Sequence, residues 1–532
     1  MKRSCRLVRD TTFLVNTNVV HSQHTPHSKS YFITYEANNL SPNKSHKGII
    51  PHPLSEPTLK EKTAKGLLWS GINNGLQQVL NLFFGIFLAR LLTPADYGMV
   101  GMLTIFTAIA SALQEGGFIS ALTNRKEICH EDYNAVFWFC STCSVCIYLL
   151  LFFAAPWIAA FYHEPALVPL ARLSFLGFVM SSLSIPARAL LFKKMMAKES
   201  AAISLTALIL SGTIGVTMAA NGFAYWGIAV QSITFITVSS CLFYYFAHWH
   251  PTFSFRFRPI REMAGFGSKL VVTNICTTVN NNLFSMLLGK FYAPQDVGNF
   301  TQANKWNTMG HTLITGMVSG VALPVLSQIS DDRDRQRTVF RKMLRFTAFT
   351  TFPAMLGLSL IAEEFIVIAI TDKWLSCAHI LQLLCIWGAF FPLCYLCSNV
   401  VVSRGHSSLY MWNNLVQSVV QLTIALLAYP YGMVWMLRLF VAVNVAWLFV
   451  WHFFVHREIG LRLRELLTDI LPYLLLASTL TVSAYFLTQP IENIYLRLLT
   501  KVLFVAIGYM SILWKSDSVI FHECINFIRK KK

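Results

Sequence analysis

The sequence predicts an all-α polytopic membrane protein of about 14 transmembrane helices, arranged as two parallel six-helix lobes plus a terminal pair. Three observations carry that prediction. Of 532 residues, 55% are hydrophobic and only 13% are charged, with a mean hydropathy of +0.51, whereas soluble domains hold about 25% charged residues. Between residues 65 and 515 no long polar linker intervenes. Apolar stretches of about 20 residues recur there instead, each able to cross a hydrocarbon core of about 30 Å. Finally, a stretch in the first apolar segment returns, without a gap, at an offset of 200 residues.

Taken in order, residues 1–60 are polar and rich in His, Ser, Asn and Pro. They lack the apolar core of a signal peptide, so they read as a disordered or mis-started extension. Fourteen spans follow, at 66–92, 97–117, 133–161, 166–192, 199–220, 223–247, 264–291, 297–327, 343–370, 376–402, 407–428, 431–455, 466–488 and 493–514. They divide the chain into a first lobe (61–247), a linker (248–263), a second lobe (264–456), a terminal pair (457–515) and a basic tail (516–532). The longest polar connections are 248–262 and 327–345.

The net charge of +18 would suggest nucleic acid in a soluble protein. Here the cations sit mostly in short connections, where they orient a membrane protein. Loops after even-numbered spans hold about 18 Lys and Arg and those after odd-numbered spans about five, which predicts that both termini are cytoplasmic. Nucleic-acid binding is not expected, whereas anionic lipids are expected at the basic loops. Twelve cysteines are present. "CSTCSVC" (Cys140, Cys143, Cys146) and "CYLC" (Cys394, Cys397) fall inside spans without interleaved acids or histidines. They read as packing residues, with neither a metal site nor disulfides implied.

The repeat compares "NGLQQVLNLFFGIFLARLLTPADYG" (74–98) with "NICTTVNNNLFSMLLGKFYAPQDVG" (274–298). Asn74 meets Asn274, Asn81 meets Asn281, Arg90 meets Lys290, Pro94 meets Pro294, Asp96 meets Asp296 and Gly98 meets Gly298. Six spans separate the copies, so both cross in the same direction. Within the turn, proline suits the first position of the next helix, aspartate complements that helix's dipole, and glycine permits close helix approach. The turn residues therefore read as structural.

The segments 66–109, 115–127 ("EGGFISALTNRKE"), 266–306 and 322–332 ("ALPVLSQISDD") resemble the polysaccharide-exporter branch of the multidrug/oligosaccharidyl-lipid/polysaccharide (MOP) flippase superfamily, in particular Wzx- and WzxC-type lipopolysaccharide or O-antigen flippases. The resemblance covers residues 60 to 515. It implies a MOP/MATE-like fold, a cavity between two lobes, alternating access, and an undecaprenyl-diphosphate-linked oligosaccharide as substrate in the bacterial inner membrane. It implies no cofactor and no enzyme activity. The coupling ion would be H+ or Na+, the working unit a monomer, and a polysaccharide polymerase a possible associate.

Such a substrate needs cations for its diphosphate and amides or hydroxyls for its sugar. Intramembrane polar groups are candidates by default. Asn74, Gln78 and Asn81 share one helix face at i, i+4, i+7, and Asn274, Thr278 and Asn281 repeat the spacing. Interhelical glue is the plainer reading of such amides. Arg172, Arg188, Asn304, Lys305 and Arg438 complete the expected cavity set, against snorkelling or ion pairing for each cation. Glu115 and Glu364 are the ion-coupling candidates. His311 reads as a structural histidine. The competing readings are a MATE-like ion-coupled small-molecule exporter, which would show more mid-span acids, and a glycosyltransferase or polymerase, which would need a large outside loop.

Overall fold

The computed structural model describes residues 59–115, 119, 122, 128–253, 258–516 and 520–521. The sequence expectation for 1–58 lies outside them. Fifteen long helices form among the described residues: α1 (Leu59–Leu91), α2 (Pro94–Glu115), α3 (His130–Tyr162), α4 (Leu167–Leu183), α5 (Ile185–Lys193), α6 (Ala197–Ala220), α7 (Trp226–Ala247), α8 (Arg258–Phe291), α9 (Pro294–Gln328), α10 (Arg333–Ile370), α11 (Leu375–Ser403), α12 (Ser407–Ala428), α13 (Met433–Ile459), α14 (Leu463–Thr488) and α15 (Ile494–Lys515). Ten of these are long and apolar enough to cross a membrane, or eleven if α4 and α5 count as one. The protein is thus a multi-pass membrane protein. Helices α1, α8 and α12 are as long as many of those ten, but their apolar runs are interrupted by amides.

Two expectations need correcting. The span at 166–192 is two helices bent by 44°. Pro186 has no N–H to donate, and the chain turns at Ser184, whose N–H and hydroxyl both donate to Ser181, as proline-induced breaks require. The polar stretch 327–345 is mostly not a loop. Helix α10 starts at Arg333, because Asp332 caps it by accepting from Arg335 N–H, and its first turns are polar.

Helices α1–α7 and α8–α13 form two sets that pack by one plan. In the first set, α1 lies on α6, α6 on α7, α7 on α4, and α4 on both α2 and α3. In the second, α8 lies on α12, α12 on α13, α13 on α11, and α11 on both α9 and α10. Between the sets, α2 packs on α8 and α9, α3 on α8, and α1 on α10. Of the ten membrane-capable helices among the described residues, α11 is the most interior.

The last two helices are tied to α10 by charges at both ends. At one end Arg341 and Arg345 donate to the buried Asp469 of α14 at 2.7 and 2.5 Å, while Arg337 pairs with Glu465. At the other, the buried Glu364 receives Lys501 at 2.6 Å and Arg497 at 2.7 Å from α15.

Candidate functional site

The repeated turns meet each other. A Cβ on Gly98 would stand 1.7 Å from the carbonyl oxygen of Pro294, and one on Gly298 would stand 1.7 Å from the carbonyl oxygen of Pro94. Only glycine fits at either position. One turn further on, a Cβ on Gly101 would meet the Thr301 hydroxyl at 2.7 Å. The helix starts at Pro94 and Pro294 therefore cross at touching distance, and each turn completes the other.

The repeated cations extend that reciprocity. Arg90, at the end of α1, donates to the carbonyls of Ala369 and Ile368 at 2.7 and 2.8 Å, the last turn of α10. Lys290, at the end of α8, donates to Phe161 O at 2.7 Å, the last turn of α3. Each cation thus satisfies orphan carbonyls, and the negative dipole end, of the third long helix in the opposite set. Asp96 caps its own turn by accepting from Thr93 N–H and hydroxyl at 2.9 and 2.7 Å. Asp296 follows Ala293, which has no hydroxyl to offer. Lys373 donates to Arg90 O, the indole of Trp374 donates to Ala89 O, and Tyr97 packs edge-on against Trp374. This end of the molecule is shut.

The polar stripes fall on less buried faces. Asn74 and Asn81 of α1 and Asn274 and Asn281 of α8 are exposed, and Gln78 and Thr278 are half-buried. Lys305, on α9 beside the half-buried Asn304, comes close to the first stripe: a Cβ on Gly85 of α1 would stand 3.0 Å from its Nζ. That glycine is one turn beyond Asn81. Among the described residues no carboxylate lies within ion-pair distance of Lys305. Lys305 is thus a cation held between the two sets of helices.

The remaining cations are scattered. Arg172 lies over the Phe152 ring at 4.2 Å, with its Nε buried and unpartnered. Arg188 sits 5.8 Å from the Phe243 ring, in the cluster that packs the opposite end of the first set. Arg438 is exposed and lies over Trp435 at 5.0 Å. Glu364 is held by Arg497 and Lys501. Glu115 ends α2, and its side chain lies outside the described residues.

Sequence reasoning missed a polar network in the second set. Asn413, Asn414, Gln417, Ser418 and Gln421 of α12 are all buried. Gln417 and Gln421 both donate to Asn444 Oδ1 of α13, at 3.0 and 2.9 Å, and Ser418 donates to Asn280 of α8 at 3.0 Å. A second line on α9, Asn299, Gln302, Asn307 and His311, is also buried. His311 packs on Phe391 with ring centres 4.5 Å apart, and Asn307 Oδ1 occupies the space a Cβ on Gly388 would need. The signal was available, since both lines repeat at helical spacing.

The sequence profile of a family described as polysaccharide biosynthesis protein matches residues 87–379. The chain belongs to that family. Among curated relatives it is 26% identical to the lipopolysaccharide biosynthesis protein WzxC of Escherichia coli (strain K12), over 62% of this chain and 68% of that one. It is 22% identical to the succinoglycan biosynthesis transport protein ExoT of Rhizobium meliloti (strain 1021), over 68% and 74%. Among solved structures, the lipid II flippase MurJ in an inward closed conformation superposes with a TM-score of 0.67 at 15% identity, covering 84% of this chain and 99% of that one. An inward-facing MATE family transporter of the MOP superfamily gives 0.59 at 15%, covering 72% and 94%. The polysaccharide biosynthesis family member described here therefore shares the fold of these transporters.

Proposed function

We propose that this protein is a flippase that moves an undecaprenyl-diphosphate-linked oligosaccharide across the bacterial inner membrane by alternating access. The two lobes are residues 61–247 and 264–456, all fourteen spans cross the membrane, and both termini are cytoplasmic. The observation that carries the reading is Lys305. It is an intramembrane cation placed between the two sets of helices, next to an amide stripe, as an anionic diphosphate bearing a sugar requires. The names of the relatives support the substrate class. The shared packing plan and the shut turn end support two lobes that rock about their contact, here closed on the side of the Pro94 and Pro294 turns.

In this scheme Lys305 takes the diphosphate. Asn74, Gln78 and Asn81 of α1, with Asn274, Thr278 and Asn281 of α8, offer hydrogen bonds to sugar hydroxyls. A cavity of ≈ 560 Å³ between α10 and α15, lined by Phe349, Pro353, Gly357, Val502 and Tyr509, receives the polyprenyl chain.

The test is to delete the gene in a strain without a second exporter and to analyse lipid-linked repeat units by membrane face. Accumulation on the inner face, reversed by the wild-type gene and about tenfold less well by Lys305→Ala, is expected from the loss of one charge-assisted contact of about 1.5–3 kcal/mol. Normal display of repeat units on the outer face of the deletion strain would sink the proposal. Loss of cationic-drug export alone would transfer the chain to the MATE-like reading.

A further inference from the structure

The connection between the two sets starts at the end of α7, away from the crossed turns, and its first residues fold back onto the start of α3. Trp249 is buried there, stacked on Tyr244 and flanked by Phe137 and Tyr133. Its indole N–H donates to His130 Nδ1 at 3.0 Å. The other ring nitrogen of His130, Nε2, lies 3.3 Å from the Thr252 hydroxyl. Thr252 N–H donates to Asn134 Oδ1 at 2.8 Å, and the Trp138 indole donates to Thr252 O at 2.9 Å. Phe253 packs on the Trp138 ring. Residues 249–253 are thus clasped to α3, and His130 holds them at two points, Trp249 and Thr252.

An indole N–H only donates, so His130 Nδ1 must offer its lone pair. The ring is therefore neutral, with its hydrogen on Nε2, from which it donates to the Thr252 hydroxyl. We infer that this clasp is a proton-operated switch on the connection between the two sets: neutral His130 fastens residues 249–253 to α3, and its imidazolium form lets them go. A proton on Nδ1 would point two N–H groups at each other across 3.0 Å. The ring must then turn from Trp249, and in turning it gives up Thr252 as well. Histidine is the side chain that ordinarily changes charge between about pH 5 and 8. Each residue freed adds about 3.3–3.6 Å of reach to the connection, so the end opposite the crossed turns can open wider. In the elements around His130 the titratable and charged groups are Glu131, Asp132 and Tyr133 on α3, Arg188 on α5, Tyr244 on α7, and His248 and His250 in the connection. Asp132 accepts from Cys129 N–H, Arg188 lies by the Phe243 ring, and His248 Nδ1 is bonded to Phe246 O. Arg125, Lys126 and Glu127 before α3, and Arg256, Arg258, Arg261 and Glu262 around the start of α8, have side chains outside the described residues. Of these three histidines, His130 alone, among the described residues, has a ring nitrogen held by a donor-only group. The inference does not depend on what the protein transports, because it uses neither Lys305 nor the amide stripes.

The experiment uses the full chain in detergent and follows hydrogen exchange by mass spectrometry at about pH 5.5 and about pH 8, near the two ends of the range over which histidine titrates. Each variant is compared with wild type at the same pH, so that the intrinsic effect of pH on exchange cancels. His130→Gln keeps an acceptor for Trp249 and a donor for Thr252 but takes up no proton. At the higher pH the peptide carrying Thr252 is expected to exchange alike in wild type and His130→Gln. At the lower pH it should exchange about fivefold faster in wild type, the factor that one hydrogen bond of ordinary net strength holds back. Trp249→Phe keeps a ring in place and removes the N–H that a protonated Nδ1 would oppose, so it should abolish the pH response. Asn134→Ala, which removes the acceptor for Thr252 N–H, marks the open state at both pH values. His250→Gln should leave the response unchanged. Equal exchange of wild type and His130→Gln at both pH values overturns the inference, as does a response that survives Trp249→Phe or disappears in His250→Gln. If His130→Gln exchanges as fast as Asn134→Ala at the higher pH, the amide does not rebuild the clasp, and the response of Trp249→Phe against wild type decides.

Discussion

The two sets of helices, α1–α7 and α8–α13, share a packing plan and differ in how they are held together. In the first set α1 meets α6 by shape. A Cβ on Gly212 would lie 2.5 Å from the Phe84 ring, and the α6 hydroxyls of Ser204, Thr213 and Thr217 are spent on the preceding turn of their own helix. In the second set the equivalent contact, α8 with α12, is made by polar side chains, Ser418 to Asn280, and the network continues through Gln417 and Gln421 to Asn444. In lipid, apolar side chains gain little by meeting each other, so small-residue packing and interhelical hydrogen bonds are the two available glues. Duplication kept the topology and left each half free to use either. Packed shape tolerates one arrangement, whereas amides can exchange partners. The second half is thus the one whose inner contacts can be rewired while the helices stay apposed.

The contact shared by both halves, the crossed turns, is where the comparison breaks first. Gly98→Val and Gly298→Val each drive a side chain into the opposite proline carbonyl, and overpacking of this kind costs about 1–3 kcal/mol or more. Both should open the shut end and lower transport strongly, by similar factors, because the contacts are reciprocal. In a cysteine-free background, Leu92→Cys, almost fully buried in the shut state, should then react with a membrane-impermeant thiol reagent. A silent variant at one of the two glycines would end the claim of reciprocity. Next in size, Gly212→Val tests the first half alone: it should cost about 1–3 kcal/mol by overpacking Phe84, seen as a lower melting temperature in detergent.

How much of this was legible beforehand depended on whether a residue's role was local. Pro94, Asp96 and Gly98 followed from turn chemistry, and their return at 294–298 exposed the duplication. That Gly98 and Gly298 touch each other's turns could not be read, because nothing in either stretch records the other's distance. The same holds for Arg90 and Lys290, whose partners are carbonyls 279 and 129 residues away. The bend at Ser184 was readable from Pro186, which starts a new helix there. The buried amides of α12 were readable too, at i, i+4, i+8 from Asn413 through Gln417 to Gln421, but they lie outside the repeated stretches of α1 and α8. Scattered cations such as Arg172 and Arg438 look alike in sequence; only packing against Phe152 or Trp435 separates them from Lys305.

The second half supplies the smaller effects. Asn444→Leu removes the one acceptor shared by Gln417 and Gln421 and strands two buried amide donors, which costs about 1–3 kcal/mol. Ser418→Ala is the sharpest comparison with Gly212→Val, since the two act at equivalent helix pairs. It deletes one interhelical hydrogen bond, worth about 0.6 kcal/mol in membranes, and leaves Asn280 free to find another partner on α12. The expected result is a melting temperature within a degree or two of wild type, set against a clear drop for Gly212→Val. If Ser418→Ala destabilises as much as Gly212→Val, the polar contact is as unforgiving as the packed one, and the second half has no special freedom to rearrange. If a double variant, Ser418→Ala with Asn280→Ala, loses as much as the two single variants combined, rather than less, the bond between them carries no coupling energy, and the α8–α12 contact rests on shape as its counterpart does.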